Sequence, residues 1–333
     1  MAIEPPSSPL RRLDAIPQLA ELSGPLVLAV GMFDGLHLGH QAVLQTAFDT
    51  AAEVGGQVLV VTFEPHPAQV LGRARAPQIL MHLPYKQRLL ERCGIDGLLV
   101  VRFDDAFAAQ EPTEFVRQLT THAADLRAIV VGRDWAFGRG RSGDVALLER
   151  LGANAGFRVI GVPPVERNGE KISSTRIRAA LEAGDLDLCR RLLGRRFSVM
   201  GTVVAGRRLG RQLGFPTANL DVHGDRLPPS GVYAVRARAL PEVAGETEPE
   251  GQPAVANLGR RPTVESADAV PTVEVHVLEA APGLDLYGRE LEVEFHRQLR
   301  AERTFAGLDQ LKAQIARDVE QARAVVAAVA QTP

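Results

Sequence analysis

Apolar residues gather in short unbroken runs along the first half of the chain and at every other position along the second half. The unbroken runs are LVLAV (Leu26 to Val30), QVLVVTF (Gln57 to Phe63), GLLVVR (Gly97 to Arg102), AIVV (Ala128 to Val131) and the stretch from Phe157 to Val162. Such runs suit strands buried on both faces. Between them the spacing changes to a helical period at His40 to Glu53, Lys86 to Cys93, around Thr113 to Thr121 and at Val145 to Ala155. Further helices follow at Ser174 to Glu182 and Leu186 to Leu193. Strands alternating with helices predict an α/β unit built on a parallel sheet and closing near Gly194.

From Phe197 the rhythm is different. FSVMGTVVAG, GVYAVRARAL, PAVANLG, TVEVHVLEA and LEVEFHRQL alternate apolar with polar residues and are separated by turn formers. They predict five or six antiparallel strands, for which a small β-barrel removes exposed edges, with a closing helix over Leu308 to Ala328. The division expected is a tail over 1–14, a first domain over 15–194 and a second over 195–328. Pro241 to Pro253, acidic and rich in Pro and Gly, reads as a solvated loop.

Composition narrows the function classes. A length of 333 residues suits two cores, and 45% apolar with 23% charged residues is ordinary for a globular chain. Lys and Arg total 38 against 40 Asp and Glu, so no basic field points to nucleic acid or an anionic membrane. Cys93 and Cys189 are the two cysteines, far apart, as expected of thiols in a reducing, cytoplasmic setting. The Pro-rich start lacks the apolar core of a signal peptide, and no stretch reaches the length of a membrane span. The oligomeric state is left open.

Candidate chemistry begins where the first apolar run ends, at GMFDGLHLGH (Gly31 to His40). Ligands of open parallel sheets bind beyond the carboxyl ends of strands, and this loop leads from such an end into a helix. Gly31, Gly35 and Gly39 let backbone approach a ligand, and the helix start offers N–H groups and a positive dipole end to an anion. His37 and His40 add imidazole donors. Zinc would need ligands that no compact Cys/His cluster supplies, and no G-x-S-x-G elbow accompanies a triad. A plain reading remains, in which one histidine caps the helix and the other packs.

A second cluster, KISSTRIR (Lys171 to Arg178), sets hydroxyls and cations just before a helix, as a polyphosphate would require. Its plain alternative is an N-cap with solvated arginines. Glu64, His66 and Pro67 end a strand and edge the same pocket or form a rigid turn. In the second half, Gly206 to Asn219 (GRRLGRQLGFPTAN) lacks the Lys-Ser/Thr of a Walker motif. Gly206, Gly210 and Gly214 can still cradle phosphate, and the Thr217 hydroxyl and Asn219 amide oxygen are hard ligands suited to Mg²⁺. In TVEVHV the valines take one face and Thr272, Glu274 and His276 the other, so Glu274 can face a pocket and accept a hydroxyl proton or simply face solvent.

GMFDGLHLGH, TFEPHP, VGRDWAFGRG and KISSTRIR, in that order, resemble the adenylyltransferase half of the prokaryotic bifunctional riboflavin kinase/FAD synthetase family. GRQLGFPTANL, GVYAVRA, ANLGRRPT, TVEVHVLE, DLYG and RAERTF resemble its riboflavin kinase module, over about 197–321. The resemblance implies a Rossmann-like nucleotidyltransferase domain followed by a kinase barrel. It implies phosphorylation of riboflavin to FMN with ATP and Mg²⁺, then adenylylation of FMN to FAD with release of pyrophosphate. By it, Gly31, Phe33, Asp34, His37, His40, Ser173, Ser174, Thr175 and Arg178 hold ATP, while Asp134, Trp135 and Phe137 border the flavin. In the kinase, Thr217 and Asn219 bind Mg-ATP, Glu274 is the base, and Arg300 with Phe305 marks the flavin end. Trp135 stands where the family usually has Phe, Arg207-Arg208-Leu209 is an unusual loop filling, and the stretch from Pro241 to Pro253 is longer than usual. The competing expectations are an adenylyltransferase acting on another mononucleotide and a non-catalytic flavin-binding regulator.

Overall fold

The computed structural model describes residues 10–72, 78–206, 215–241, 248–263, 266–278 and 285–330, with the side chains of 260–271 and 329–330 outside that description. It divides into two compact units, 1–174 and 175–333.

The first unit is a six-stranded sheet in which all pairs are parallel. In chain order its elements are β1 (Arg11–Leu13), β2 (Leu26–Val30), α1 (Leu38–Val54), β3 (Gln57–Glu64), α2 (Pro67–Val70), α3 (Leu83–Arg92), β4 (Gly97–Arg102), α4 (Asp105–Ala108), α5 (Pro112–His122), β5 (Leu126–Gly132), α6 (Val145–Ala155) and β6 (Arg158–Val162). A two-stranded hairpin, β7 (Glu166–Arg167) with β8 (Glu170–Lys171), follows. The strand order is β1-β4-β3-β2-β5-β6. From β2 the chain adds β3 and β4 on one side and then crosses to place β5 on the other. The crevice at such a reversal is where open sheets bind ligands, and here it lies between the ends of β2 and β5. The continuous apolar runs are explained by burial: every residue of β2 is at most 2% exposed.

One expectation needs correction. Within the stretch 1–14 read as a tail, Arg11 to Leu13 form edge strand β1, pairing in parallel with Gly97 to Leu99. Leu13, 1% exposed, anchors it, and three residues are too few to show a period.

The second unit opens with α7 (Ser174–Glu182), whose first residue falls on the dividing line, and α8 (Leu186–Leu193). Six antiparallel strands then close a barrel in the order β10-β13-β12-β11-β14-β9. They are β9 (Ser198–Val204), β10 (Ala218–Asp221), β11 (Gly231–Ala239), β12 (Gln252–Thr263), β13 (Ser266–Val277) and β14 (Glu290–Arg300). Leu220, Tyr233, Val235, Val273, Val275, Val293 and Phe295 are buried in it, with the Tyr233 and Phe295 rings edge to face at 5.5 Å. The opposite face of β11 and β12 is also apolar, because α9 (Leu308–Ala330) covers it: Val232, Ala234 and Val255 pack with Ala322 and Val325.

Helix α9 is held by charge as well as by packing. Arg300 at the end of β14 donates to both Asp318 oxygens, at 2.8 to 3.2 Å, and Gln314 Nε2 donates to the same carboxylate at 2.7 Å. Asp318 is 2% exposed, so removing its carboxylate takes the two-oxygen partner from a largely buried guanidinium. Asp318→Ala is expected to cost about 3 kcal/mol and to lower the unfolding temperature of the second unit. A variant as stable as the parent in calorimetry would contradict this.

Candidate active sites

The loop after β2 is shaped by its backbone. Phe33 and Leu36, with φ of 50° and 42°, take left-handed conformations that non-glycine residues avoid, and Gly35 follows suit at 86°. The compressed turn brings His37 to the N-cap of α1, where its Nδ1 accepts from His40 N at 3.3 Å. A Cβ at Gly39 would stand 3.1 Å from the His37 ring, so this cap calls for glycine there. The plain capping role therefore holds for one nitrogen of His37, and Nε2 is left to carry its proton.

His40 stacks on His37 with ring centroids 3.7 Å apart and planes 14° from parallel, and its other side meets the Phe33 ring at 5.2 Å. Burial holds His37 down at about 4, with the Lys171 charge acting in the same sense. Burial pushes His40 well below its ordinary value, aided by His37, Lys86 and Lys171. Both rings are thus neutral near pH 7, and a neutral imidazole offers one N–H to an anion. His40 Nδ1 is closed off from solvent without a hydrogen-bond partner.

The KISSTRIR motif meets this loop directly. Ser174 Oγ donates to the Asp34 carbonyl at 2.7 Å. Lys171 pairs closely with Asp134 from the loop after β5, and that hydrogen bond holds the Asp134 carboxyl below the usual carboxylate range. Three of the motifs thus converge on the crevice at the strand-order reversal. Trp135 stacks on Phe137 at 4.4 Å and 11°. Phe137, 8% exposed, belongs to the core, so Trp135 is the ring that can reach a ligand while Phe137 backs it. Gly31 and Ser173 are half-buried beside these groups in sequence. Thr175 and Arg178 lie on α7, Arg178 one turn on from Ser174.

Asp34, expected to hold ATP, and His66, whose role was left open, both make scaffold hydrogen bonds. The Asp34 carboxylate, 3% exposed, accepts from Leu80 N at 2.9 Å and Met81 N at 3.3 Å, which fixes the segment before α3 against the glycine loop. His66 caps α2 through Nδ1, accepting from Ala68 N at 3.1 Å, which is the rigid-turn alternative. Sequence reasoning missed Lys86, which is 3% exposed with Nζ 3.4 Å from the buried Thr62 hydroxyl. Its signal was present: Lys86 lies four residues before Leu90 and so shares the buried face of α3.

In the barrel the polar alternation turns away from the core. Asn219, Glu274 and Asn257 stand in register across β10, β13 and β12. Their neighbours Leu220, Val273 and Leu258 face inward, at most 6% exposed. The candidate kinase site is therefore on the outside of the barrel, flanking the strands covered by α9. Gly206 has a clear reason to be glycine, since a Cβ there would lie 2.1 Å from Asn219 Nδ2. His276 contacts Pro216 O through Nδ1 at 2.7 Å and meets Phe215 edge-on, which ties down the backbone beside half-buried Thr217. Asn257 was not singled out from sequence, although it sits on a polar alternate position, whereas His276 was placed with Glu274 on the polar face of TVEVHV. Gly210 and Gly214 lie outside the described residues. Arg300 lies 5.7 Å from the Phe305 ring, but its guanidinium is committed to Asp318, whereas Arg303 is closer to Phe305 at 4.9 Å. Among the described residues no group of three or more His, Cys, Asp and Glu side chains could hold a metal.

Comparison with known proteins follows the same division. The FAD synthetase family model matches residues 20–176, and the riboflavin kinase family model matches residues 193–326. A bifunctional riboflavin kinase/FMN adenylyltransferase of Escherichia coli (strain K12) is 42% identical over 297 residues, covering 89% of this chain and 91% of that protein. The chain belongs to the bifunctional riboflavin kinase/FMN adenylyltransferase family. A member from Bacillus subtilis (strain 168) is 36% identical over 300 residues, with 89% and 91% covered. The crystal structure of a Streptococcus pneumoniae protein described as a macrolide-efflux protein superposes with a TM-score of 0.79 at 28% identity, over 95% of this chain and 99% of that one. Efflux is said of that protein; among the described residues here no helix is long and apolar enough to cross a membrane.

The depressed histidine has a measurable consequence. An unfolded His37 binds a proton near 6.5 and the folded one near 4, so acid favours the unfolded chain between those values. Stability of the first unit is expected to be full above pH about 6.5 and to fall by about 3 kcal/mol as pH drops to about 4. Denaturant unfolding followed through Trp135, the sole tryptophan, measures it. His37→Asn, which retains a capping side chain, should show a shallower loss; an unchanged slope would refute the assignment.

Proposed function

We propose that the chain makes flavin nucleotides in two ATP-dependent steps on separate sites. In the barrel unit the 5′-hydroxyl oxygen of riboflavin bonds to the γ-phosphorus of ATP, ADP leaves, and Glu274 accepts the hydroxyl proton. In the sheet unit a phosphate oxygen of FMN bonds to the α-phosphorus of a second ATP and pyrophosphate leaves, giving FAD. The second step needs no protein nucleophile, because the FMN phosphate is already an anion; positioning and charge stabilisation carry it. The observation that carries the reading is that each unit, matched by its own family model, presents a distinct set of convergent polar groups.

In the adenylyltransferase, the neutral His37 and His40 rings donate to the phosphates around the reacting phosphorus. Gly31 and Phe33 line the approach, and Ser173, Ser174, Thr175 and Arg178 brace the outer phosphates. Asp34 serves by holding the loop in shape. Trp135, backed by Phe137 and bordered by Asp134, offers a stacking face to the flavin. In the kinase, Thr217 and Asn219 would hold Mg²⁺ through their side-chain oxygens. Such an ion neutralises charge on the transferred phosphoryl group. Gly206 admits the Asn219 amide, and Phe305 forms the flavin end, with Arg300 beside it and bonded to Asp318. Catalytic modules over 15–194 and 195–328 accord with this assignment, and two free thiols accord with a cytoplasmic setting.

Glu274→Ala should abolish FMN formation from riboflavin while still converting supplied FMN to FAD. His40→Ala should do the reverse and accumulate FMN. Chromatographic separation of the flavins reads both, and loss of both steps in either folded variant would refute the division.

A further inference from the structure

A single register line crosses the outside of the barrel. Asn219 stands opposite Glu274, Glu274 opposite Asn257, Asn257 opposite Val232, and Val232 opposite Arg300. Residues directly opposite one another on neighbouring strands share a face, and each step round the sheet is about 4.8 Å. The line therefore runs from a residue assigned to Mg²⁺, through the assigned base, to the end assigned to the flavin. Val232, 4% exposed, is taken up by packing under α9. Asn257 is the position left over, one strand beyond Glu274 on the flavin side.

Its neighbours set its direction. Ala256 and Leu258, 0% and 2% exposed, belong to the barrel interior, so the Asn257 amide is directed to the outer face, where it is half-buried. Asn suits the middle of a strand poorly, and the core gains nothing from it. Two residues further along the same face is Gly259. A Cβ there would stand 2.7 Å from Glu302 Oε1 and 3.3 Å from Thr272 Oγ1. Glycine thus lets the Glu302 side chain, from the segment that leads to Phe305, lie over β12 beside Asn257. The amide sits between the base and the segment carrying the flavin end.

In riboflavin the part that spans those ends is the ribityl chain. Its reacting 5′-hydroxyl is joined to the ring through carbons bearing secondary hydroxyls, each a donor and an acceptor. A carboxamide offers both functions in return and, being uncharged, places no second charge beside the carboxylate that takes the proton. On the reading that Glu274 is the kinase base, we propose that Asn257 is a specificity-determining residue whose amide hydrogen-bonds a secondary ribityl hydroxyl and so holds the 5′-oxygen at Glu274. Contacts to the part of a substrate that does not react orient the part that does. A site built to bond a hydroxyl also rejects the analogue that lacks it.

The probe is a flavin whose side chain keeps the terminal hydroxyl and carries hydrogens in place of the secondary ones, followed as product or as a competitive inhibitor of FMN formation. In the full chain with Mg-ATP, Asn257→Ala should lower kcat/KM for riboflavin about tenfold. It should leave turnover or inhibition by the probe unchanged, so the preference for riboflavin shrinks by the same factor. Asn257→Thr, a good strand former with a hydroxyl, should recover part of that preference. A purely structural role, or one exerted on Glu274, weakens both flavins alike, and a contact with ATP raises the KM for ATP whichever flavin is present. Either result overturns the proposal, as does an unchanged preference. If the parent chain makes no FMN from riboflavin, the kinase reading falls and this role with it; FMN formation with an unchanged preference removes the role of Asn257 alone.

Discussion

Strand β2 is the element from which the first unit grows in both directions, and the chemistry depends on that. A parallel sheet exposes all its carboxyl ends along one edge, but only where the chain reverses direction do two helices part and leave a crevice. Val30 ends β2 at that place, and Gly132 ends β5 beside it. The loops leaving those strands carry the histidines and Trp135. Burial of the whole of β2 makes the position of the loop a property of the core. The strained residues Phe33 and Leu36 can persist because a rigid strand and a capped helix hold them from both ends.

The barrel solves a related problem differently. Its interior is filled by one set of alternating residues, so the other set must serve either packing or chemistry. Helix α9 divides the outer face: apolar residues such as Val232 and Ala234 lie beneath it, and the row Asn219, Glu274 and Asn257 lies to its side. The Arg300–Asp318 pair fixes that division. It holds the helix whose edge borders the polar row.

Much of this was legible in the residues because period and burial are coupled. The boundaries of α6, α7 and α8 agree with the pattern, since each has a capping Asp or Gly or a sharp change of period. Strand β1 was hidden because three residues carry no period, and the roles of Asp34 and Arg300 were hidden because their partners, Leu80, Met81 and Asp318, are 46 or more residues away or on a separate helix. Lys86 was overlooked for a different reason. A lysine on an apolar helical face reads as surface unless its place in the turn is counted, and here the turn puts it under the glycine loop. That the barrel's polar row faces outward also escaped the pattern, which shows two faces without saying which is covered.

The polar groups of the two units fall into two kinds, and the difference separates scaffold from site. Those of the scaffold are satisfied by protein: the Asp34 carboxylate by two backbone amides, Asp318 by Arg300 and Gln314, and His66 by the start of α2. Removing one partner there destabilises, but nothing is missing as the molecule stands. The Nδ1 atoms of His40 and His296 are of the other kind, closed off from water and unmatched by protein. Folding alone gives no reason to retain such an atom, because an apolar isostere would pack without the desolvation cost. In the first unit the unmatched atom sits amid a loop, a helix start and cations suited to phosphate. In the second it sits at a bulge in β14.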